Sequence, residues 1–473
     1  MRTVILVELP WGRDKDPRVP LGHASLMAVL KMNEQLDCHS IVQPINEDKF
    51  DVGSVFEQIL LIIDGKKHID LDIAFGVYVW AEEAIQDLLQ MLREFGFNGR
   101  IILGGPQISY CGAGLEELYP HADVFVRGYG EFAISGLAGS NTSIQMPGIH
   151  YAGELDQNTQ TSVDLDLLPS PWLEGLINLE NQEFIRWESQ RGCPFKCGFC
   201  QHKEPGARLK KREFLPNRIM QEIDLFCTKD VKDIAVLDPI FNASSQSKNI
   251  LKRFIFNNFQ GRLSFQCRAE MTDEEFIQLA SELNVCLEFG LQTIHKEEGR
   301  AVNRVNNMRK VVAVMSEIVN KNIECEVSLI FGLPCQTYES FCETVNWCLE
   351  MKLPTVKAFP LMLLRGTEIE KNRDTWGLIE SGGSMPVVLQ SDTFSYDDWV
   401  KMAQISEALK MTEGKHPDSI SELLHLAEGL EIDLSRYRPD ISVHQDDDEI
   451  QFRGGSLAPH LELYPLQFNS ILS

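Results

Sequence analysis

Three cysteines stand close together in the run Arg191-Gly192-Cys193-Pro194-Phe195-Lys196-Cys197-Gly198-Phe199-Cys200, at spacing C-x3-C-x2-C. Thiolates this close on one loop can hold three irons of a 4Fe–4S cluster, one cysteine per iron. The fourth iron then keeps an open coordination position, the property that separates a catalytic metal site from a structural one. The competing reading of the same residues is a structural zinc with His202 as fourth ligand, although zinc sites usually assemble from two separated pairs. A disulfide scheme fits poorly, because three thiols are odd in number. The other cysteines (Cys38, Cys111, Cys227, Cys267, Cys286, Cys325, Cys335, Cys342 and Cys348) form no second compact motif. Most lie in apolar stretches, where a free thiol behaves as a small hydrophobe. Cys335 differs, on a loop expected to face the site.

An alternation of strands and helices must position this loop. From Glu183, strands are predicted at Phe184–Gln190, Asp233–Leu237, Leu263–Cys267, Cys286–Leu291, Glu324–Phe331 and Val356–Leu364. Helices fall between them at Asn217–Phe226, Gln246–Asn258, Asp273–Leu283, Met308–Lys321 and Tyr338–Met351. Six β/α units in this length suit a (β/α)6 partial TIM barrel, whose chemistry sits at the carboxyl ends of the strands. The cysteine loop comes directly after the first of those strands.

The first part of the chain alternates as well. Thr3–Leu9 is a short continuous apolar run, suited to a strand buried on both faces. A helix is expected at Gly22–Leu36, a strand at Ser40–Pro44, a helix at Phe56–Ile63 and a strand in Ile69–Trp80. An amphipathic helix Ala81–Phe95 leads to strands at Arg100–Leu103 and Asp123–Arg127. This is the pattern of a doubly wound, Rossmann-like α/β domain, with its ligand beyond the carboxyl ends of the strands. Gly104-Gly105-Pro106 and Gly128-Tyr129-Gly130-Glu131 come after the fourth and fifth strands. Either the glycines let a large ligand approach the backbone, or they only make tight turns. A hairpin is expected within Gly148–Val163, and the prolines of Asp164–Trp172 mark a boundary. The division is 1–145, a linker 146–182, a barrel 183–375 and a small, mostly helical carboxyl-terminal region 376–473 of unknown role.

The cysteine spacing, with an aromatic before the last thiol and a six-unit barrel around it, resembles the radical S-adenosylmethionine superfamily. In that superfamily the methionyl amine and carboxylate of S-adenosylmethionine chelate the open iron, and one electron cleaves the sulfonium to methionine and a 5′-deoxyadenosyl radical. Later segments agree in order with the coproporphyrinogen dehydrogenase- and methylthiotransferase-like branch: Glu288-Phe289-Gly290-Leu291-Gln292-Thr293, Arg304, Gly332-Leu333-Pro334-Cys335-Gln336-Thr337 and Arg365-Gly366-Thr367. The resemblance implies cofactor contacts at Phe199, Gln266, Arg268, Gln292, Arg304 and Ser328. A guanidinium there can bind a carboxylate bidentately. Departures are Asp238-Pro239-Ile240-Phe241-Asn242 in place of a Gly-Gly-Glu segment, Gln266 where Glu is common and Ser328 where Asp is common. A glutamine brings no full negative charge to an ammonium.

A doubly wound unit before such a barrel resembles the cobalamin-binding class of the superfamily. Pro20-Leu21-Gly22, Val77-Tyr78-Val79-Trp80, the glycine turns and Leu165-Asp166-Leu167-Leu168-Pro169 carry this resemblance. It implies contacts to cobalamin at Tyr78, Gly104, Gly105, Pro106, Gly128, Gly130 and Glu131. No Asp-x-His-x-x-Gly is present, so the resemblance implies no histidine beneath cobalt, and His23 at the first helix start is expected to be structural. A degenerate unit without cobalamin stays open.

Together these resemblances imply an enzyme using a 4Fe–4S cluster, S-adenosylmethionine and cobalamin, a methyltransferase acting on an unactivated carbon of a small molecule or peptide. A rearranging, ring-forming or sulfur-inserting enzyme, or a non-catalytic sensor, are the other readings. The expected electron donor is a reduced flavodoxin or ferredoxin. With 473 residues there is room for roughly two to four domains. The formal charge of −25 repels nucleic acid and anionic membrane. No apolar run reaches the ~20 residues of a membrane span, and the polar start and sparse cysteines suggest the cytoplasm. The basic stretch Lys203–Arg212 either meets an anionic partner or is a solvated loop. Helices are expected at Tyr396–Met411 and Ser419–Leu430, the acidic run Asp446–Glu449 is a solvated face, and a last strand begins at Ile450.

Overall fold

The computed structural model describes residues 2–140, 142–202, 212–229, 231–383 and 385–434. The basic stretch after His202 (except Arg212), the acidic run and the strand expected from Ile450 lie outside the described residues.

Six strands form the first sheet: β1 (Arg2–Glu8), β2 (Leu36–Val42), β3 (Leu71–Gly76), β4 (Arg100–Gly104), β5 (Val124–Val126) and β6 (Ile149–Tyr151). Their order is β2-β1-β3-β4-β5-β6, parallel except for β6. Helices α1 (Leu21–Lys31), α2 (Val52–Ile63), α3 (Glu82–Glu94) and α4 (Glu131–Ala138) cross between or follow the strands. Strand order reverses at β1, so a crevice opens beyond the ends of β1 and β3, where Glu8 and Gly76 stand. Two expectations are corrected here. Helix α1 stops at Lys31 and the next strand starts at Leu36, because a turn at Asn33 frees β2 to pair along all of β1, from Arg2↔Leu36 to Glu8↔Val42. The expected hairpin does not pair with itself. Ile149–Tyr151 runs antiparallel to β5 and Thr161 bridges Gly128, so both arms satisfy the open edge of β5.

The second sheet is all parallel: β7 (Phe184–Trp187), β8 (Asp233–Val236), β9 (Arg262–Cys267), β10 (Val285–Gln292), β11 (Glu324–Phe331) and β12 (Thr355–Pro360), in the order β12-β11-β10-β9-β8-β7. Between them lie α5 (Pro216–Thr228), α6 (Ser247–Phe256), α7 (Glu274–Ala280), α8 (Met308–Asn320) and α9 (Tyr338–Glu350). β7 ends earlier than expected because the Asp238 carboxylate takes the N–H groups of Ser189 and Gln190. β12 ends at Pro360; Leu361 N still donates to Phe331 O, but its carbonyl accepts from Val388 N, and Leu363 N donates to Pro386 O. Helices α10 (Tyr396–Met411) and α11 (Ile420–Ala427) close this end of the sheet. Ser406 Oγ donates to Ala358 O at 2.6 Å and Val356 N to His416 Nε2 at 2.9 Å. No helix among the described residues is long and apolar enough to cross a membrane.

Two arginines join the units. Arg365, from the turn after β12, donates to Gln107 O, Tyr119 Oη and Glu82 Oε1 at 3.1, 3.2 and 3.0 Å. Arg191, buried just before the cysteine loop, is held by Glu188 and reaches Glu131 Oε1 at 2.5 Å. Replacing Arg191 by methionine strands two buried carboxylates, which costs about 3–5 kcal/mol. The expected result is a clearly lower denaturant midpoint; an unchanged midpoint would show that the pair does not hold the units.

Candidate active site

The cysteine loop is pinned from three sides. Asp238, which burial pushes up to about 7, ties down its approach through Ser189 and Gln190. Gly198 N donates to Val302 O at 2.8 Å, Ile369 N to Gly198 O at 3.2 Å and Asn303 Nδ2 to Lys196 O at 2.8 Å. Asn242, from the same departing segment as Asp238, exchanges hydrogen bonds with both backbone groups of Arg268. That segment therefore builds the site from behind.

Cys193 and Cys197 are each 9% exposed, and burial pushes the Cys193 thiol up and the Cys200 thiol up to about 12. Without metal, Cys193 and Cys200 are neutral thiols; iron, a large local charge, displaces such protons. Among the described residues no three His, Cys, Asp or Glu side chains gather closely enough for a single ion. A cluster asks for sulfurs one per iron, farther apart.

Beside the thiols, Arg304 Nη1 lies 3.7 Å from Cys197 Sγ and Nη2 donates to Gly290 O, while its buried Nε has no partner. Gln292 sits at a bulge with φ 65°, and its buried Oε1 also lacks a partner. A Cβ at Gly290 would fall 2.6 Å from Gln292 Nε2, so only glycine leaves both side chains in place. Strained backbone beside a cavity, with an unsatisfied amide oxygen, is a mark of a binding position. Arg268 lies 3.9 Å over the Phe195 ring and donates to Glu270 at 3.1 Å.

One continuous cavity joins these groups to the first unit. All the residues expected to hold cofactors line it: Cys193, Cys197, Phe199, Cys200, Gln266, Arg268, Gln292, Arg304 and Ser328 on the barrel side, and Tyr78, Gly104, Gly105, Pro106, Gly128, Gly130 and Glu131 across from them. The glycines divide. At Gly105 and Gly128, both at positive φ, a Cβ would come within 2.8 Å of Val77 and 2.7 Å of Thr161 backbone, so the protein itself demands glycine there. At Gly104 and Gly130 the nearest atoms are 3.7 and 3.5 Å away, leaving room for a ligand. Tyr78 stacks on Trp80 at 4.7 Å, whose Nε1 donates to Leu9 O. Glu131 keeps Oε2 unpartnered after Arg191 takes Oε1, and Gln160 Oε1 is unpartnered too. Cys335, contrary to expectation, is not among the lining residues.

Sequence reasoning missed one part of the cavity. A slot runs between the face of the first sheet (Leu6, Ala74, Ile102, Val126) and helices α1 and α4 (Leu26, Ile134). It also missed Glu8 and Glu288, whose signal was an acid inside an otherwise apolar strand. Burial pushes Glu8 up to about 8.

A thiol triplet at the strand ends of a parallel part-barrel thus faces a doubly wound crevice across one cavity. Residues 187–348 match the family model described as Radical SAM superfamily. The cobalamin-dependent radical SAM methyltransferase TokK of Streptomyces tokunonensis is 24% identical over 371 residues, covering 72% of this chain and 52% of that protein. The fold is that of TsrM from Kitasatospora setae, solved with tryptophan substrate and a SAM analog (TM-score 0.66, 15% identity, 90% of this chain and 95% of that one). It is also that of OxsB, solved with aqua-cobalamin and S-adenosylmethionine (TM-score 0.67, 15% identity, 87% and 67%). The match to the Radical SAM superfamily model is carried by the barrel segment, and the likeness to TsrM and OxsB extends over both units as a shared fold. It spans about half the length of the curated relatives it matches.

Proposed function

We propose that this protein is a cobalamin-dependent radical S-adenosylmethionine methyltransferase acting on an unactivated carbon of a small molecule or peptide. A low-potential donor of flavodoxin or ferredoxin type would supply electrons. The carrying observation is the single cavity, with unpartnered polar atoms on both walls. On the barrel wall, Gln292 Oε1 is free to accept from a hydroxyl and Arg304 Nε to donate to a carboxylate, which suits the ribose and methionyl ends of S-adenosylmethionine. On the opposite wall, Glu131 Oε2 and Gln160 Oε1 are acceptors awaiting donors, as the amide side chains of a corrin provide. The apolar slot behind them suits a heterocyclic tail.

When bound, the three cofactors supply a transferable methyl group and radical hydrogen abstraction, the chemistry that side chains cannot perform. The chain's own part is to hold and to exclude. Cys193, Cys197 and Cys200 would take three irons and leave the fourth open. Arg268 over Phe195, together with Arg304, would orient a carboxylate, and Ser328 and Gln266 would border the adenosyl group. Arg191 and Arg365 keep the two walls at fixed separation, so that a substrate between them is shielded from water.

The test is anaerobic purification with hydroxocobalamin, reduction, and mass spectrometry of the products of S-adenosylmethionine. S-adenosylhomocysteine together with 5′-deoxyadenosine is the expected result. Deoxyadenosine alone would favour rearrangement, ring closure or sulfur insertion, and neither product would leave a sensor.

His23 bears on cobalt. Its Nε2 is 2.7 Å from Ser40 Oγ, and burial pushes the ring down to about 4, so it is neutral and already engaged. The Co(II) electron paramagnetic resonance spectrum should show no nitrogen splitting. Cobalt lines each split into three, with the splitting lost on changing His23 to alanine, would make His23 a ligand after all.

A further inference from the structure

Inside the barrel, Gln266, Glu288 and Glu326 occupy one register row across β9, β10 and β11 (Gln266↔Glu288↔Glu326). Side chains so paired on neighbouring strands point to the same side, about 5 Å apart. Of the two acids, Glu326 has a cation: Lys357 Nζ is 2.7 Å from its Oε2 and also reaches Glu413 at 3.3 Å. Its Oε1 is unpartnered although the residue is only 7% exposed. Glu288 lines the cavity and makes no hydrogen bond or ion pair among the described residues. The remaining cations that face it are engaged elsewhere, Arg262 with Glu324 at 2.5 Å and Arg13 with Asp16 at 3.1 Å. Burial, and then Glu326, push the Glu288 carboxyl up. A buried carboxyl without a cation is costly when ionised, and the cost falls when a ligand brings the opposite charge.

Glu288 lies two residues before Gly290, roughly 7 Å along the strand from the carbonyl that holds Arg304 beside Cys197. A ligand anchored at the thiols and Arg304 can therefore reach it. We infer that Glu288 is the counter-ion for the cationic part of bound S-adenosylmethionine, its ammonium or its sulfonium, in place of the uncharged Gln266 beside it. This role rests on the proposed methyltransferase function. Binding then requires the carboxyl to ionise, so affinity should rise as pH goes from about 6 to about 8, with a proton released.

The experiment is calorimetric binding to the anaerobic, cluster-reconstituted protein without reductant. Three probes are used: S-adenosylmethionine, S-adenosylhomocysteine (ammonium but no sulfonium) and 5′-methylthioadenosine (neither). E288Q, which keeps shape and loses charge, should weaken S-adenosylmethionine by about tenfold or more and leave methylthioadenosine unchanged. Loss for S-adenosylhomocysteine as well identifies the ammonium, and its sparing identifies the sulfonium. E288D should retain most of the affinity, and Q266E/E288Q, which moves the charge one strand across, should recover it. Unchanged S-adenosylmethionine affinity in E288Q, or an equal loss for methylthioadenosine, overturns the assignment. If the unmodified protein binds no S-adenosylmethionine, the proposed function fails and takes this subsite with it.

Discussion

Replacing Cys193, Cys197 or Cys200 by alanine should abolish iron-dependent visible absorption and all 5′-deoxyadenosine formation while leaving a folded protein. The loss should be complete because each thiolate serves its own iron, so a cluster that loses one of them loses the ligand of that iron. The fold should survive because the loop is pinned by backbone bonds through Gly198 and by Asp238, none of which involves a thiol. Far-ultraviolet circular dichroism should therefore match the parent. His202 supplies the contrast. Its Nε2 is buried without a partner, and burial pushes the ring down to about 4, so it is available as a neutral ligand. Under the cluster assignment His202→Ala keeps the iron content; under the zinc alternative it loses the metal. A colourless, zinc-loaded protein after anaerobic iron and sulfide reconstitution would sink the cluster assignment.

The legible features were those set by local spacing. Continuous apolar runs marked parallel strands buried on both faces, and Glu324–Phe331 and Tyr396–Met411 fall where periodicity puts them. The thiol triplet was equally plain, because three ligands on one loop are three ligands in the sequence. What stayed hidden depends on partners distant in the chain. β7 is cut short by Asp238, some fifty residues later, and Pro360 hands the last strand's pairing to residues near Val388. The hairpin failed because the open edge of β5 offered a better partner than the segment itself. Glycines were ambiguous for a physical reason: a missing Cβ looks the same whether a ligand or Val77 fills its place. Glu288 was read only as part of a motif, since its isolation becomes visible once Lys357, Arg262 and Arg13 are seen to be committed to other acids.

Filling the slot in the first unit should separate the two cofactors. Ala74 is the small residue on the slot's sheet face, between Leu6 on β1 and Ile102 on β4, and it faces helices α1 and α4 across the gap. Ala74→Trp places an indole where a nucleotide-like tail would lie. In a packed core such an insertion costs about 1–3 kcal/mol, and less where the space is open, so the unit should stay folded. Losing a buried aromatic contact should weaken cobalamin by about a hundredfold or more. The measurement is cobalt and iron content after reconstitution with hydroxocobalamin, iron and sulfide, and then gel filtration. Cobalt should fall below detection while iron and the cluster absorption stay at parent values, because the thiol loop is held by barrel contacts. Ala74→Ser, which keeps the slot open, should bind as the parent does. Full cobalt in the tryptophan variant would move the tail out of this slot, and loss of iron as well as cobalt would mean that the two walls fold as one unit.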